Sequence, residues 1–212
     1  MANGVLMTPN QILGQDKRSK SIGDLLESKK NEYEHLFFSD SVLCNLVSFF
    51  SEFPGSLSSF WGFELELSSN TQEVDFLLCI HRPEVLQSWI KEDAYNPQFN
   101  PEFSKGLDNF SKQWLGTYKS VFNNIWFEYD YSGITKSNFN PNFFLGPKRS
   151  IHPLNLLSSV HALLDGMKAK VEKKSYRLLL KCIETLPTGS WVSQVGVMNA
   201  RNDTNLRVFI QD

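Results

Sequence analysis

The sequence predicts an α+β fold: one antiparallel sheet of about six strands, built from three hairpins, with helices packed mainly on one face. Three observations lead to it. Short segments that alternate apolar and polar residues come in pairs, at 59–69 with 74–81, 123–133 with 142–146, and 190–201 with 205–212. Segments with helical spacing lie before, between and after these pairs, in the order α, ββ, αα, ββ, α, ββ. Consecutive strands joined by short connections pair antiparallel, so the hairpins can line up in one sheet.

Residues 1–20 are polar and mixed, and they read as a flexible N-terminal tail. Residues 21–212 read as a single domain, on its own or as part of a longer protein. Ser21 is placed to cap the first helix, with Asp24 three residues on completing a capping box. Ile22, Leu25, Leu26, Tyr33, Leu36 and Phe37 follow the helical period. After "SDS" at 39–41 a second helix runs to the Pro-Gly at 54–55.

In "SFWGFELELSS", Trp61, Phe63, Leu65 and Leu67 point one way, and Glu64 and Glu66 the other. "VDFLLCIH" returns as its partner, with Phe76, Leu78 and Ile80 alternating against Asp75, Leu77, Cys79 and His81. "RPEVLQSWIKE" is a short helix with Pro83 in its first turn. A proline-marked loop precedes a helix over roughly 102–122, then come "NNIWFEYDYSG" and "NFFLG". The next helix starts near Pro153, with a bend or break at the polar "EKKSY", and "LPTG" ends it. The last hairpin carries an echo of the first: aligning Trp191 on Trp61 lays Leu206, Val208 and Ile210 on Phe76, Leu78 and Ile80.

Composition narrows the function classes. The 212 residues are 41% hydrophobic and include 17 Phe, enough for a thick aromatic core or an aromatic-lined cavity. A net charge of −2 with both signs interspersed gives no field for non-specific nucleic-acid binding. Cys44, Cys79 and Cys182 are isolated, so no zinc site is expected; three buried thiols in a reducing compartment are. No apolar run is long enough to span a bilayer and no signal core is present, so a soluble, cytoplasmic protein without membrane partners is expected.

The candidate chemistry gathers on the sheet face opposite Trp61. That face is mixed rather than cleanly polar: Leu77, Cys79, Val192, Met198 and Phe209 lie among Glu64, Glu66, Asp75, His81, Gln194, Arg207 and Gln211. Glu128 and Asp130 are two apart and share one side of their strand with Trp126, while Phe127, Tyr129 and Tyr131 share the other. Which set faces the core decides whether the two acids are buried. Paired carboxylates can divide into acid and base, or hold a hard cation given further oxygens. Lys148 and Arg149 precede a helix start, a position suited to an anion. Arg207 could clamp an anion, or pair with Glu64, Glu66 or Asp130 if the acidic and basic strands adjoin. His81 at a strand end and His152 at a helix start are the best placed of the four histidines for proton transfer. No Walker, GxSxG or HExxH motif occurs.

The helix–strand–strand–helix order resembles the repeat of the ABBA-type prenyltransferases, in element order and without a residue motif. The resemblance implies a barrel, here a partial one, of antiparallel strands ringed by helices, with basic and aromatic residues shielding a diphosphate. Two functions follow as expectations. The first is a binding or accessory domain that holds a small molecule or peptide on the mixed face, or docks a partner subunit through the sheet edge. The alternative is a metal-independent enzyme, an ABBA-like transferase. In it Glu64, Glu66, Glu128 and Asp130 act as acid/base groups, and Lys148, Arg149 and Arg207 hold an anionic substrate. No particular cofactor is implied.

Overall fold

The structure is a computed structural model that describes residues 3–9, 21–33, 40–66, 74–92, 100–131, 140–201 and 205–212. Its centre is a sheet whose spatial order is the sequence order: β1 (Asn3–Pro9), β2 (Phe60–Glu66), β3 (Val74–Ile80), β4 (Phe122–Asp130), β5 (Asn142–Pro147), β6 (Trp191–Val197) and β7 (Leu206–Gln211). Every neighbouring pair is antiparallel. The three hairpins expected from alternation are all present. β1, within the segment read as a tail, adds a seventh strand beside β2. The sheet is open, with β1 and β7 at its edges, rather than closed into a barrel.

The helices are α1 (Ile22–Ser28), α2 (Lys30–Tyr33), α3 (Asp40–Phe50), α4 (Pro83–Glu92), α5 (Pro101–Gly116), α6 (Pro153–Gly166) and α7 (Lys173–Glu184). The Ser21 capping box forms as its spacing predicts: Ser21 Oγ accepts from the Asp24 amide at 3.0 Å, and Asp24 Oδ2 from the Ser21 amide at 2.8 Å. α1 packs closely on α3 because Gly23 has no side chain; a Cβ there would stand 2.5 Å from Val47 O and 2.8 Å from Ser51 N. The long helix expected after Pro153 is two helices. α6 stops at Gly166, and Lys168 takes a positive φ of 54°, which turns the chain before the polar stretch begins.

One face of the sheet meets the helices. Trp61, Phe76, Leu78, Phe127, Tyr129, Phe143, Val195 and Val197 form a single buried cluster with Leu26 and Phe50 of α1 and α3, Trp89 of α4, Phe110 of α5 and Leu163 of α6. Rings dominate it: Phe50 lies 4.3 Å from Phe76 and 5.1 Å from Tyr129, and Phe110 lies 5.1 Å from Phe143. Each such pair contributes about 0.5–1.5 kcal/mol beyond its buried area. The Trp114 indole N–H, deep in the cluster, donates to Phe122 O at 3.3 Å.

Phe127 and Tyr129 therefore take the helix side, and Trp126, Glu128 and Asp130 take the second face. Val192, expected on the second face, belongs to the core, because the β6–β7 register shifts between Val192 and Gln194 and reverses the alternation. Of the three cysteines expected to be buried, only Cys79 is; Cys44 is exposed and Cys182 half-buried. Among the described residues no helix is long and apolar enough to cross a membrane.

Candidate functional site

The second face divides into three bands running across the strands. At one end Glu64 of β2 stands opposite Asp75 of β3, and Asp75 opposite Asp130 of β4. Opposed residues in a ladder point to the same side, so three carboxylates form a row, and Glu128 adds a fourth one step along β4. Asp75, Glu128 and Asp130 each bring a carboxylate oxygen within 4.8 Å of the others. None of the four acids is without an interaction partner. Glu66 ends β2 opposite Asn3, and its side chain lies outside the described residues.

Asn142 organises this end. It stands opposite Glu128 and is fully buried. Its Nδ2 donates to Glu128 Oε1 at 2.9 Å and to Asp130 Oδ1 at 2.8 Å. Its Oδ1 accepts from the Ala200 amide at 2.9 Å, which fixes the amide with its N–H groups toward the acids. The side-chain carbonyl is thus turned away from them. The clustered carboxyl oxygens suit an ammonium, a guanidinium or a hard cation. Glu128 is only 4% exposed, whereas Glu64, Asp75 and Asp130 remain half-exposed.

The middle band is apolar. Phe60, Cys79, Trp126 and Phe144 stand opposite one another across β2 to β5. Phe60 packs edge-on against Trp126 at 5.6 Å, and Phe144 against Phe209 at 5.6 Å. Burial pushes the Cys79 thiol far up, so it stays protonated.

The third band lies where β3 ends. Asp75 and His81 are six residues apart along the chain, about 20 Å in extended backbone. His81 is hydrogen-bonded through Nδ1 to Ser59 Oγ, and Asn124 Nδ2 lies 3.5 Å from its Nε2. Burial holds the His81 imidazole below its ordinary range. Asn124 lies over Gly146, where a Cβ would collide with the amide.

The basic candidates lie apart from the acids. Arg207, on exposed β7, is opposite Gly196, so β5 and β6 separate it from Asp130. The expectation that acidic and basic strands adjoin does not hold, and among the described residues Arg207 makes no ion pair with Glu64 or Asp130. Arg149 stacks on Trp191, 4.1 Å from the ring centre, and donates to Gly189 O at 2.8 Å. Lys148 is half-buried, and its amide donates to Val121 O at 2.8 Å. His152 caps α6, its Nδ1 accepting from the Leu154 amide at 3.3 Å. The geometry thus brings Glu64, Glu128 and Asp130 together and leaves Lys148, Arg149 and Arg207 elsewhere.

Asn142, Ser59 and Asn124 are the members that the sequence alone did not single out, and Asp75 is placed on this face by the sequence without a role. Asp75 was detectable, since hairpin register sets it against Glu64. Asn142, Ser59 and Asn124 depend on strand pairing that no local pattern carries. No protein-family model, curated protein or solved structure matches the chain, so the meaning of the site rests on its own geometry.

Proposed function

We propose that the chain is a binding domain whose ligand, a small molecule or peptide with a cationic group next to an apolar body, lies on the second sheet face. One observation carries the reading. On β4 the half-exposed Trp126 and Asp130 flank Glu128 on one side of the strand, so an aromatic surface adjoins a carboxyl-lined one. The cation would meet the carboxylate row, and the apolar part would lie over Trp126 and Phe60. Anionic ligands are disfavoured at this end, because Arg207, Lys148 and Arg149 are elsewhere.

A thermal-shift comparison of spermidine, an arginine- and phenylalanine-containing peptide, Mg²⁺, Ca²⁺ and inorganic diphosphate tests it. The peptide or amine should raise the melting temperature, with the gain lost in Asp130→Asn and Trp126→Ala and kept in Arg207→Ala. Stabilisation by diphosphate alone, lost in Arg207→Ala, would overturn it, as would no response to any probe.

A second reading rests on the β7 edge. Phe209 and Ile210 are 45% and 48% exposed on opposite sides of a strand that ends the sheet. A partner subunit could add a strand there. Light scattering across a concentration series, with Val208→Pro as the blocking variant, tests that. A cytoplasmic setting is proposed with it on the strength of three unpaired cysteines.

A further inference from the structure

We infer that Ser59, His81 and Asn124 form a nucleophile–base–orienter set at the third band, able to take the acyl group of an ester of an apolar carboxylic acid onto Ser59. The inference is independent of any ligand at the acidic end.

Hydrogen bonding around Ser59 sets the direction of proton flow. Two acceptors lie within reach of its hydroxyl, His81 Nδ1 and, at 3.5 Å, Cys79 O. Cys79 O already accepts from the Ser59 amide at 3.2 Å, and the Ser58 hydroxyl has Phe60 O at 2.6 Å and Cys79 O at 2.9 Å as its acceptors. Cys79 O stands at the limit of hydrogen-bond reach from the Ser59 hydroxyl and His81 Nδ1 stands much closer, so the Ser59 proton is directed to His81 Nδ1. Nδ1 is then the acceptor, and Nε2 carries the ring hydrogen. Asn124 is the group facing Nε2, with one amide atom 3.5 Å away, and a half-turn of the amide about Cβ–Cγ sets its oxygen there as the acceptor. The two orientations are isosteric, and either one leaves one amide atom against Gly146. With the oxygen inward, the order is hydroxyl to imidazole to amide carbonyl, the arrangement that activates a serine.

Access and competition favour the same residue. Ser59 is half-buried and His81 exposed, so a substrate carbonyl can reach the hydroxyl from solvent. Cys79 Sγ lies 3.6 Å from Nδ1 and 3.9 Å from Nε2, but it is fully buried and held as the thiol. A neutral imidazole at pH 7 is a competent base, and the partial desolvation of the inner side of the otherwise exposed His81 favours that form. Phe60 follows Ser59 directly and packs on Trp126, which gives an apolar acyl group a surface beside the nucleophile.

In the reaction Ser59 Oγ bonds to the ester carbonyl carbon as its proton passes to His81 Nδ1. The tetrahedral adduct collapses by breaking the carbon–alkoxide bond, and the leaving oxygen takes the proton from His81 and departs as the alcohol. A water oxygen then bonds to the acyl carbon as its proton passes to the same nitrogen; the carbon–Oγ bond breaks, Ser59 Oγ takes that proton back from His81, and the carboxylic acid departs. His81 is a catalytic residue in this scheme and Asn124 a positioning residue.

The test is labelling of the full chain with an alkyl fluorophosphonate, followed by peptide mapping. The adduct should fall on Ser59. It should be absent in Ser59→Ala, and its rate should fall about 100-fold or more in His81→Gln. Asn124→Asp should keep the labelling and move its pH midpoint upward, because a carboxylate favours the imidazolium; Asn124→Leu should slow it at every pH. Mapping on the unaltered protein needs no variant to fold: no adduct on Ser59 while circular dichroism reports a folded chain overturns the inference. So does an unchanged rate in folded His81→Gln.

Discussion

Asn142 and Glu128 face each other across β4 and β5, joined by a 2.9 Å hydrogen bond between two buried side chains. The carboxylate is held out of water by a neutral amide that also reaches Asp130. Asn142→Leu removes both donors from the acids and the acceptor from Ala200, and should cost about 2–4 kcal/mol in urea unfolding. The double variant Glu128→Leu with Asn142→Leu should cost less than the sum of the single ones, because the buried carboxyl is no longer left without its donor, while the loss at Ala200 and Asp130 is counted once. Additive losses would show that the two residues do not act as a unit.

Two glycines should respond oppositely to alanine. At Gly196 a Cβ would collide with Phe143 O and stand 2.6 Å from Phe144 Cα, so backbone must move. Gly196→Ala should lose roughly 2 kcal/mol or more by overpacking. At Gly116, the last residue of α5, nothing lies within 4 Å of the added carbon. Gly116→Ala should gain about 0.5–1 kcal/mol from the reduced freedom of the unfolded chain. Denaturant midpoints at constant m-value measure both.

Arg149 clamps the start of β6 through Trp191 and Gly189. Arg149→Ala should lower stability by about 1 kcal/mol and shift the emission of Trp191. Arg149→Lys should recover only part of it, since an ammonium cannot stack on the ring while donating in the same plane. Full recovery by lysine would make the contact purely coulombic.

Acid should weaken the fold through His81. Burial lowers its folded pKa below the unfolded value of 6.5, so the unfolded chain binds a proton at higher pH than the native one. Above that value both forms are neutral and His81 contributes no pH dependence. As pH falls through 6.5 the unfolded state gains stability first, and native stability declines until the folded pKa is passed. The groups packed around the ring are Ser59, Asn124 and the Cys79 thiol. Melting temperatures between pH 7.5 and 5, taken for the parent and His81→Gln, should show a shallower fall in the variant (the pH range spans the ordinary histidine value).

Local features were legible in the sequence. The Ser21 capping box, the prolines opening α4 and α6 and the three alternating hairpins depend on residues a few positions apart. The acidic character of the second face was also legible, because Glu64, Glu128 and Asp130 share a period of two with their strands. What the sequence could not supply was strand order: of the acids it offers to Arg207, Asp130 lies three strands away and Glu64 and Glu66 five. Nor could it supply register: Asn142 reads as one more Asn in "FNPNF" until it is set opposite Glu128. The slip after Val192 moved one residue across the sheet, because a bulge leaves no pattern that differs from ordinary alternation.

The sheet is laid down in the order in which the chain is made. Each strand after β1 pairs with the one just before it, so no strand needs to insert between two others. A chain leaving the ribosome can extend one growing edge from β2 to β7, with helices α4 to α7 available to cover each added strand. Only the hairpins β2–β3, β4–β5 and β6–β7 close over short connections; the other three pairings span the helices and form more slowly. The vulnerable surface during synthesis is then always the newest strand, and Phe143 and Phe144 on β5 would stay uncapped at that edge until the roughly fifty residues through β6 have emerged.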